Sequence, residues 1–518
     1  MNTGRVYLVG GGPGDPGLLT VRGRQVLAQA DVVVYDHLVS PRLLDGVPPA
    51  AERVYVGKEA SAHTLCQDDI NRLLVERARA GRTVVRLKGG DPYVFGRGGE
   101  EALALAEAGI PFEVVPGVTA GVGCAAYAGI PVTHRDISSA VAFVTGHESD
   151  ATLRSSDASS LRSTSDKPDS ALDWDALARW KGTLVFYMGV ANLERICANL
   201  AAHGLAGDTP AAVIRWGTTA RQQVVAATVA TLPEAARAAG VRPPAITVVG
   251  EVVRLRDRLA WFEARPLFGR RIVVTRSRAQ ASDLSARLEA LGAEVIEAPT
   301  IRIEPPLDPA PLREAVRDRA SFAWILFTSA SGVDAFFRTM GEEGLDARAL
   351  AGIRIGAIGP ATAARLAACG VRADLEPSRF TSRQLAEDLA ATADLRGAAI
   401  LLPRADIAPN TMVEDLKARG ARVRSVVAYR TVPDPAGGEE VLRRLREGGL
   451  DWLTFTSSST VRNFLAAVPA EAVRAAAVRV ASIGPVTSAT ARDLGLAVTV
   501  EADPHTVPDL VEAILRSA

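Results

Sequence analysis

Apolar runs of four or five residues, each closed by glycine, proline or a turn cluster, recur through the first half of the chain at 6–9, 32–35, 84–87, 112–115, 141–145, 184–187, 211–214 and 246–249. Amphipathic stretches such as QDDINRLLVERARAG separate most of them. Runs this short and this apolar fit buried strands, and helices between them can cover the faces of a sheet. The pattern predicts an α/β chain in which helix and strand alternate. With 518 residues, 48% of them hydrophobic, it exceeds a single core and calls for roughly three or four domains.

The first strand runs into GGGPGDPGLLT, positions 10–20. Glycine admits φ > 0 and close approach to the main chain, while proline stiffens it, so this is a firm loop with exposed N–H groups suited to a nucleotide-like ligand. A dinucleotide turn, G-x-G-x-x-G, needs its third glycine five residues after the first. From Gly10 that position is Asp15, and from Gly12 it is Gly17, with Pro13, Asp15 and Pro16 interrupting the helix start. NAD is disfavoured. A second loop, VVRLKGGDPYVFGRGGEE at 84–101, places Arg86, Lys88 and Arg97 beside flexible backbone, with Asp91 able to accept hydrogen bonds from a ribose or an amine.

From Arg271 the chain repeats itself. Ile272 of RIVVTRSRAQ and Ile400 of AILLPRADIA are 128 residues apart, as are Phe327 of FTSASGVDAFF and Phe455 of FTSSSTVRNFL. IGPATAARLAACG likewise matches IGPVTSATARDLG. Two homologous lobes follow. Ser, Thr and Gly clusters fall where their strands should end, which is where open α/β sheets bind anions, although helix capping uses the same residues.

Formal net charge is zero, which argues against nucleic acid held by bulk electrostatics. Cys66, Cys124, Cys197 and Cys369 are scattered without metal-ligand or disulfide spacing, so no metal is expected. Absence of a leader-like start or a long apolar run points to a reducing cytoplasm and no membrane. Residues 148–173, rich in Ser, Asp and Thr, have little to bury and are expected to form a mobile surface insertion.

Together with VVPGVTAGVGCAAYAGIPVTHRD, LVFYMGV, VIRWGTTARQQ and PPAITVVGEVVRLRDRLAWFE, the two glycine loops resemble the tetrapyrrole methylases, and among them the uroporphyrinogen III C-methyltransferases, along roughly residues 4–264. The resemblance implies a domain over 1–265 with lobes of about 1–118 and 119–265. It also implies S-adenosylmethionine in the cleft between them, leaving as S-adenosylhomocysteine. Pro13, Gly89, Gly90, Asp91, Val94, Thr119, Ala120, Met188 and Gly217 match the donor contacts; Asp36 matches the proton acceptor and Lys58 the proton donor. A pyrrole carbon that takes a methyl cation becomes neutral again only by losing a proton, so a placed base helps, whereas the transfer itself needs alignment. Without the resemblance Asp36 reads equally as a strand-end cap and Lys58 as a surface lysine.

Residues 271–518 resemble uroporphyrinogen III synthase through the repeat, VVAYRT and the terminal PHTVPDLVEAI, which implies a domain over 266–518. The resemblance implies two flavodoxin-like lobes, one of 271–303 plus 430–518 and the other of 304–429, that cyclise hydroxymethylbilane without a cofactor. Tyr429 is the expected weak acid near the leaving hydroxyl, and Arg276, Ser329, Ser457 and Thr487 the carboxylate contacts; a buried interlobe tyrosine is the competing reading of Tyr429. The combined expectation is an enzyme that makes uroporphyrinogen III and methylates it at carbons 2 and 7 to precorrin-2, acting on small tetrapyrroles, with a homodimer through the methyltransferase half. The alternative is a methylase of another corrinoid position joined to a non-catalytic tetrapyrrole-sensing half.

Overall fold

The structure, a computed structural model, describes residues 3–57, 65–146, 172–275, 278–434 and 436–517. Lys58, Arg276 and all but the last two residues of the expected insertion lie outside the described residues. The chain divides into two compact units, the first built on residues up to Arg270 together with Leu288–Glu294 and the second on Arg271–Arg287 and Val295–Ser517. The division falls a few residues past the 265/266 boundary expected from sequence.

The first sheet of the first unit holds β1 (Arg5–Gly10), β2 (Val32–Tyr35), β3 (Glu52–Tyr55), β4 (Thr83–Lys88) and β5 (Phe112–Val115), in the order β3-β2-β4-β1-β5. All its pairs are parallel. Val6, Leu8, Val34 and Val84 pack one face against the helices Gln67–Arg79 and Gly98–Glu107, while Val9, Val33, Val85 and Leu87 pack the other against Val26 and Leu27 of helix Val21–Leu27. Burial on both faces is why these strands read as unbroken apolar runs. β3, with the sequence ERVY, sits at the sheet edge and is largely exposed, so it carries no such run.

A second sheet holds β6 (Val141–Thr145), β7 (Thr183–Tyr187), β8 (Pro210–Arg215), β9 (Gln223–Thr228) and β10 (Ala245–Val249), in the order β6-β7-β10-β8-β9. Only β6 and β7 are parallel; β7–β10, β10–β8 and β8–β9 are antiparallel. Strict alternation of helix and strand therefore fails here, because β8 turns directly into β9 through Trp216–Gln222 without a helix.

In the second unit the chain lays down β11 (Arg271–Val274) and β12 (Glu294–Glu297) and crosses to a separate sheet. There it forms β13 (Ile301–Glu304), β14 (Trp324–Phe327), β15 (Arg354–Ala357), β16 (Ala399–Ala405) and β17 (Arg422–Pro433). It then returns for β18 (Trp452–Phe455), β19 (Arg479–Ser482) and β20 (Val500–Glu501). The orders are β12-β11-β18-β19-β20 and β13-β17-β16-β14-β15. Strand β13 pairs antiparallel with β17 from Ile301↔Pro433 to Glu304↔Arg430. Residues 301–303 and 430–433 thus join the lobe expected to span 304–429, since the edge of β17 offers them a hydrogen-bonding partner.

The repeat reappears as matched packing. β12-β11-β18-β19 and β17-β16-β14-β15 run in the same spatial order although the chain visits them in different sequence. Arg354 lies 4.5 Å over the Trp324 ring and Arg479 lies 4.8 Å over Trp452. Phe327 meets Phe336 edge-on at 5.5 Å and Phe455 meets Phe464 at 5.4 Å. All four phenylalanines are fully buried. Phe336→Ala or Phe464→Ala should each remove about 3–5 kcal/mol, read as a downward shift of the second unit's calorimetric transition; a shift worth under about 1 kcal/mol would show that these rings do not anchor their lobes.

Candidate active site

The two glycine loops leave the carboxyl ends of the neighbouring strands β1 and β4 and are joined main chain to main chain. Gly11 N donates to Lys88 O at 2.7 Å, Gly12 N to Gly90 O at 3.2 Å, and Gly90 N to Gly12 O at 2.7 Å. Gly12 has φ 76° and Gly90 φ 68°, a left-handed conformation that side chains resist. Gly117, after β5, completes the set: a Cβ on it would stand 2.3 Å from Gly90 O and 2.7 Å from Gly10 Cα. Asp91 fastens the assembly, its Oδ2 accepting from Gly117 N at 2.9 Å and its Oδ1 from Tyr93 N and Val94 N at 2.8 and 3.1 Å. Both carboxylate oxygens are thereby engaged by backbone N–H groups, which makes Asp91 first a loop organiser.

Helix Ala120–Tyr127, with Thr119 at its N-cap position, packs against β7 and β10 of the second sheet. Its small residues admit neighbours: a Cβ on Gly123 would meet Pro13 Cγ at 2.7 Å, and one on Gly121 would meet Tyr187 Oη at 2.6 Å. Tyr187 Oη accepts from Gly121 N at 2.6 Å and lies 2.6 Å from Thr119 Oγ1. Burial pushes the Tyr187 phenol above its ordinary pKa. Met188 follows with φ 55° and is half exposed. Gly217 abuts Cys124 on the same helix, where a Cβ would lie 2.4 Å from Cys124 Cβ. From the Gly217 loop Thr218 Oγ1 accepts Asp15 N at 3.0 Å, and Tyr127 Oη donates to Asp15 Oδ2 at 2.7 Å. Pro13, Gly90, Asp91, Thr119, Ala120 and Gly217 are thus brought together, with Val94 and Ala120 packed against the buried cluster that holds Tyr187; Gly89 adjoins Leu38, and Met188 is half exposed.

At the same end of the first sheet, Asp36 closes β2. Its Oδ1 accepts Leu38 N at 3.1 Å and its Oδ2 lies 3.4 Å from Arg86 Nη2. Arg86 is buried, and its Nε donates to Glu101 Oε1 at 3.1 Å. Lys88 Nζ donates to the same oxygen at 2.9 Å. Glu101 is fully buried. Burial, then repulsion from Arg86, holds the Lys88 ammonium below the ordinary lysine pKa, partly opposed by Glu101 and Asp36. Arg97 lies outside this cluster, exposed and paired with Glu100 at 2.6 Å. Sequence motifs missed Glu101, Tyr187, Tyr127 and Thr218. Glu101 had a signal: Arg86 and Lys88 stand two apart on a buried strand, so both face one helix layer, and buried cations need a counter-charge.

In the second unit Ser329 and Tyr429 meet, with Ser329 Oγ 2.9 Å from Tyr429 Oη. Ser329 also caps helix Ala330–Glu342 by accepting Gly332 N at 3.0 Å. Burial drives the Tyr429 phenol upward in pKa, the Ser329 bond opposing and Asp406 adding to it, so the hydroxyl stays protonated at neutral pH. Ser457 plays the matching cap on the other lobe, accepting Thr460 N at 3.2 Å. Thr487 is buried within helix Pro485–Asp493. Ser457 and Thr487 thus lie with the β11 sheet, apart from the Ser329–Tyr429 pair on the β14 sheet.

The cradle's tightest point is open to test. Gly117→Ala forces a methyl against Gly90 O at 2.3 Å, so the first unit's thermal transition should fall by more than about 1 kcal/mol. An unchanged transition would mean that the loops are not in main-chain contact.

Known proteins resemble both parts of the chain. Residues 5–233 match the family model of the tetrapyrrole (corrin/porphyrin) methylases and 282–512 that of uroporphyrinogen-III synthase HemD. The porphyrin biosynthesis protein HemD of Ruminiclostridium josui is 38% identical over 519 residues, covering 100% of this chain and 98% of that protein. The uroporphyrinogen-III C-methyltransferase of Bacillus subtilis is 44% identical over 351 residues, 68% of each chain. A siroheme synthase of Pseudomonas putida is 54% identical over 260 residues, 50% of this chain and 52% of that relative. Among solved structures, the uroporphyrin-III C-methyl transferase of Thermus thermophilus complexed with S-adenyl homocysteine is 41% identical, spanning 49% of this chain and 100% of its own, with a TM-score of 0.39. The chain belongs to the family of the porphyrin biosynthesis protein HemD, as a bifunctional enzyme of tetrapyrrole biosynthesis in which a tetrapyrrole methylase precedes a uroporphyrinogen-III synthase.

Proposed function

We propose that the second unit closes hydroxymethylbilane to uroporphyrinogen III and that the first methylates this product at carbons 2 and 7 to give precorrin-2. The observation that carries the reading is the convergence of the family's donor positions on one cradle of main chain, with Asp36 at the same carboxyl end of the sheet. The methyltransferase named among the relatives supports the first reaction.

The residues present fit S-adenosylmethionine. A Cβ on Gly90 would have no neighbour closer than Ala120 N at 3.8 Å, so the main chain stands open there. Such an opening suits a ligand that binds backbone. Gly89, Gly90, Thr119, Ala120 and Gly217 would hold the donor, Pro13 would stiffen its floor against Gly123, and Met188 and Val94 would flank it. When bound, the donor supplies an electrophilic methyl. The chain's own contribution is alignment, worth several orders of magnitude in rate when the reacting atoms are held in contact, and a base. Asp36, partly exposed and set at the strand end, would take the ring proton released after methylation; Lys58 is the proposed proton donor.

In the second unit Tyr429, kept neutral by burial and fixed by Ser329, would protonate the departing hydroxyl. Ser457, Thr487 and Arg276 would orient substrate carboxylates. A homodimer through the first unit belongs to the same reading.

An anaerobic incubation with hydroxymethylbilane and labelled methyl donor should give dimethylated type III product; unmethylated type I isomer alone would refute both assignments. Asp36→Asn should lower methylation by about 10²–10⁴-fold, and Tyr429→Phe should slow cyclisation while leaving methylation of supplied uroporphyrinogen III intact. Full methylation by Asp36→Asn, or full cyclisation by Tyr429→Phe, would remove those residues from their roles.

A further inference from the structure

Two buried cations and one buried anion stand behind Asp36, and nothing in the methyl-transfer reading uses them. Arg86 and Lys88 leave the same face of β4, both nearly excluded from solvent, and converge on a single oxygen, Glu101 Oε1, at 3.1 and 2.9 Å. Glu101 Oε2 is buried without a hydrogen-bond partner among the described residues. A cluster assembled for stability alone would satisfy that oxygen, since an unmatched buried carboxylate oxygen is costly. The geometry gives the arrangement a direction instead. Glu101 holds the Nε side of the Arg86 guanidinium, and Arg86 Nη1 is held by Leu87 O at 3.2 Å and Val34 O at 3.4 Å. The fork can then turn only its Nη2 edge toward Asp36, 3.4 Å away.

We propose that Arg86 and Glu101 are positioning residues for methyl transfer: Glu101 fixes the Arg86 fork, and Arg86 holds the Asp36 carboxylate aimed from the sheet end. The proposal rests on Asp36 being the base. Lys88 balances the charge, so that the two cations Arg86 and Lys88 face the two anions Asp36 and Glu101. The other groups around the cluster are Gln67 on helix Gln67–Arg79, whose Nε2 lies 3.3 Å from Glu101 Oε1, and the exposed Arg97, which is attracted by Glu101 and Asp68 as well as by its partner Glu100. None of these stands between Arg86 and Asp36.

Without the Glu101 carboxylate the Nε side of the Arg86 fork loses its anchor, and without the Arg86 guanidinium Asp36 loses the partner at its Oδ2, so either change disturbs the aim of the carboxylate.

The test uses the full chain with uroporphyrinogen III and S-adenosylmethionine, and compares Glu101→Gln, Arg86→Gln, Arg86→Lys and Asp36→Asn. S-adenosylhomocysteine affinity reports whether each variant keeps its cradle. The expected result is a kcat lowered about tenfold or more in both Glu101→Gln and Arg86→Gln with KM little changed, partial recovery in Arg86→Lys, and affinity for S-adenosylhomocysteine retained. If Arg86→Gln does not fold, the kcat losses in the isosteric Glu101→Gln and in Arg86→Lys carry the test. Native kcat in Glu101→Gln and Arg86→Gln with Asp36→Asn inactive would overturn the positioning roles and leave the base in place. Full activity in Asp36→Asn would overturn the base, and the positioning roles with it.

Discussion

Contact of main chain with main chain at the carboxyl end of the first sheet is the constraint on which the methylase unit rests. Gly10 and Gly117 approach each other and the Gly90 carbonyl so closely that neither could carry a side chain, and the Gly12–Gly90 bridge binds the loops from β1 and β4 into one surface. Three consequences follow from that approach. The floor of the site is peptide, so it offers N–H and C=O groups at fixed positions. Asp91 can reach Gly117 N and the Tyr93–Val94 turn at once. Pro13 is also carried onto helix Ala120–Tyr127, where Gly123 makes room for it. Rigid backbone of this kind loses little entropy when a ligand arrives, which is how preorganised sites gain affinity.

Charge is handled differently in the two units. In the first, ionised groups are taken into the interior beside the cradle, where Lys88 is disfavoured as an ammonium by burial and held only by its neighbours. In the second, the described residues of the candidate site are hydroxyls: Ser329, Tyr429, Ser457 and Thr487. Proton removal from a cationic ring calls for a carboxylate, whereas loss of hydroxide calls for a neutral acid. Under the reactions proposed here, the two sets of side chains match those two demands.

Much of this was legible in the amino-acid sequence, for reasons that can be named. Strands buried on both faces, such as β1, β4 and β7, read as apolar runs, and the 128-residue repeat announced two lobes that share the Arg354–Trp324 and Arg479–Trp452 stacks. Edge strands were hidden, since β3 and β9 each bury too little to leave a pattern. The assignment of β13 was hidden too, because its partner β17 lies more than a hundred residues away and pairing is not written in local periodicity. Glycine loops marked the cradle, yet Tyr187 and Tyr127 carried no local signal, and only the fold shows their hydroxyls on Gly121 N and Asp15.

Titration of the full chain with S-adenosylhomocysteine, followed by calorimetry, tests the central claim most directly. A cradle of the kind described should bind one molecule per chain, and binding should weaken sharply in a variant whose Gly90 is replaced by valine, since a branched side chain would occupy the opening and strain the left-handed backbone. No measurable binding by the native chain, or equal binding by the Gly90→Val chain, would contradict it.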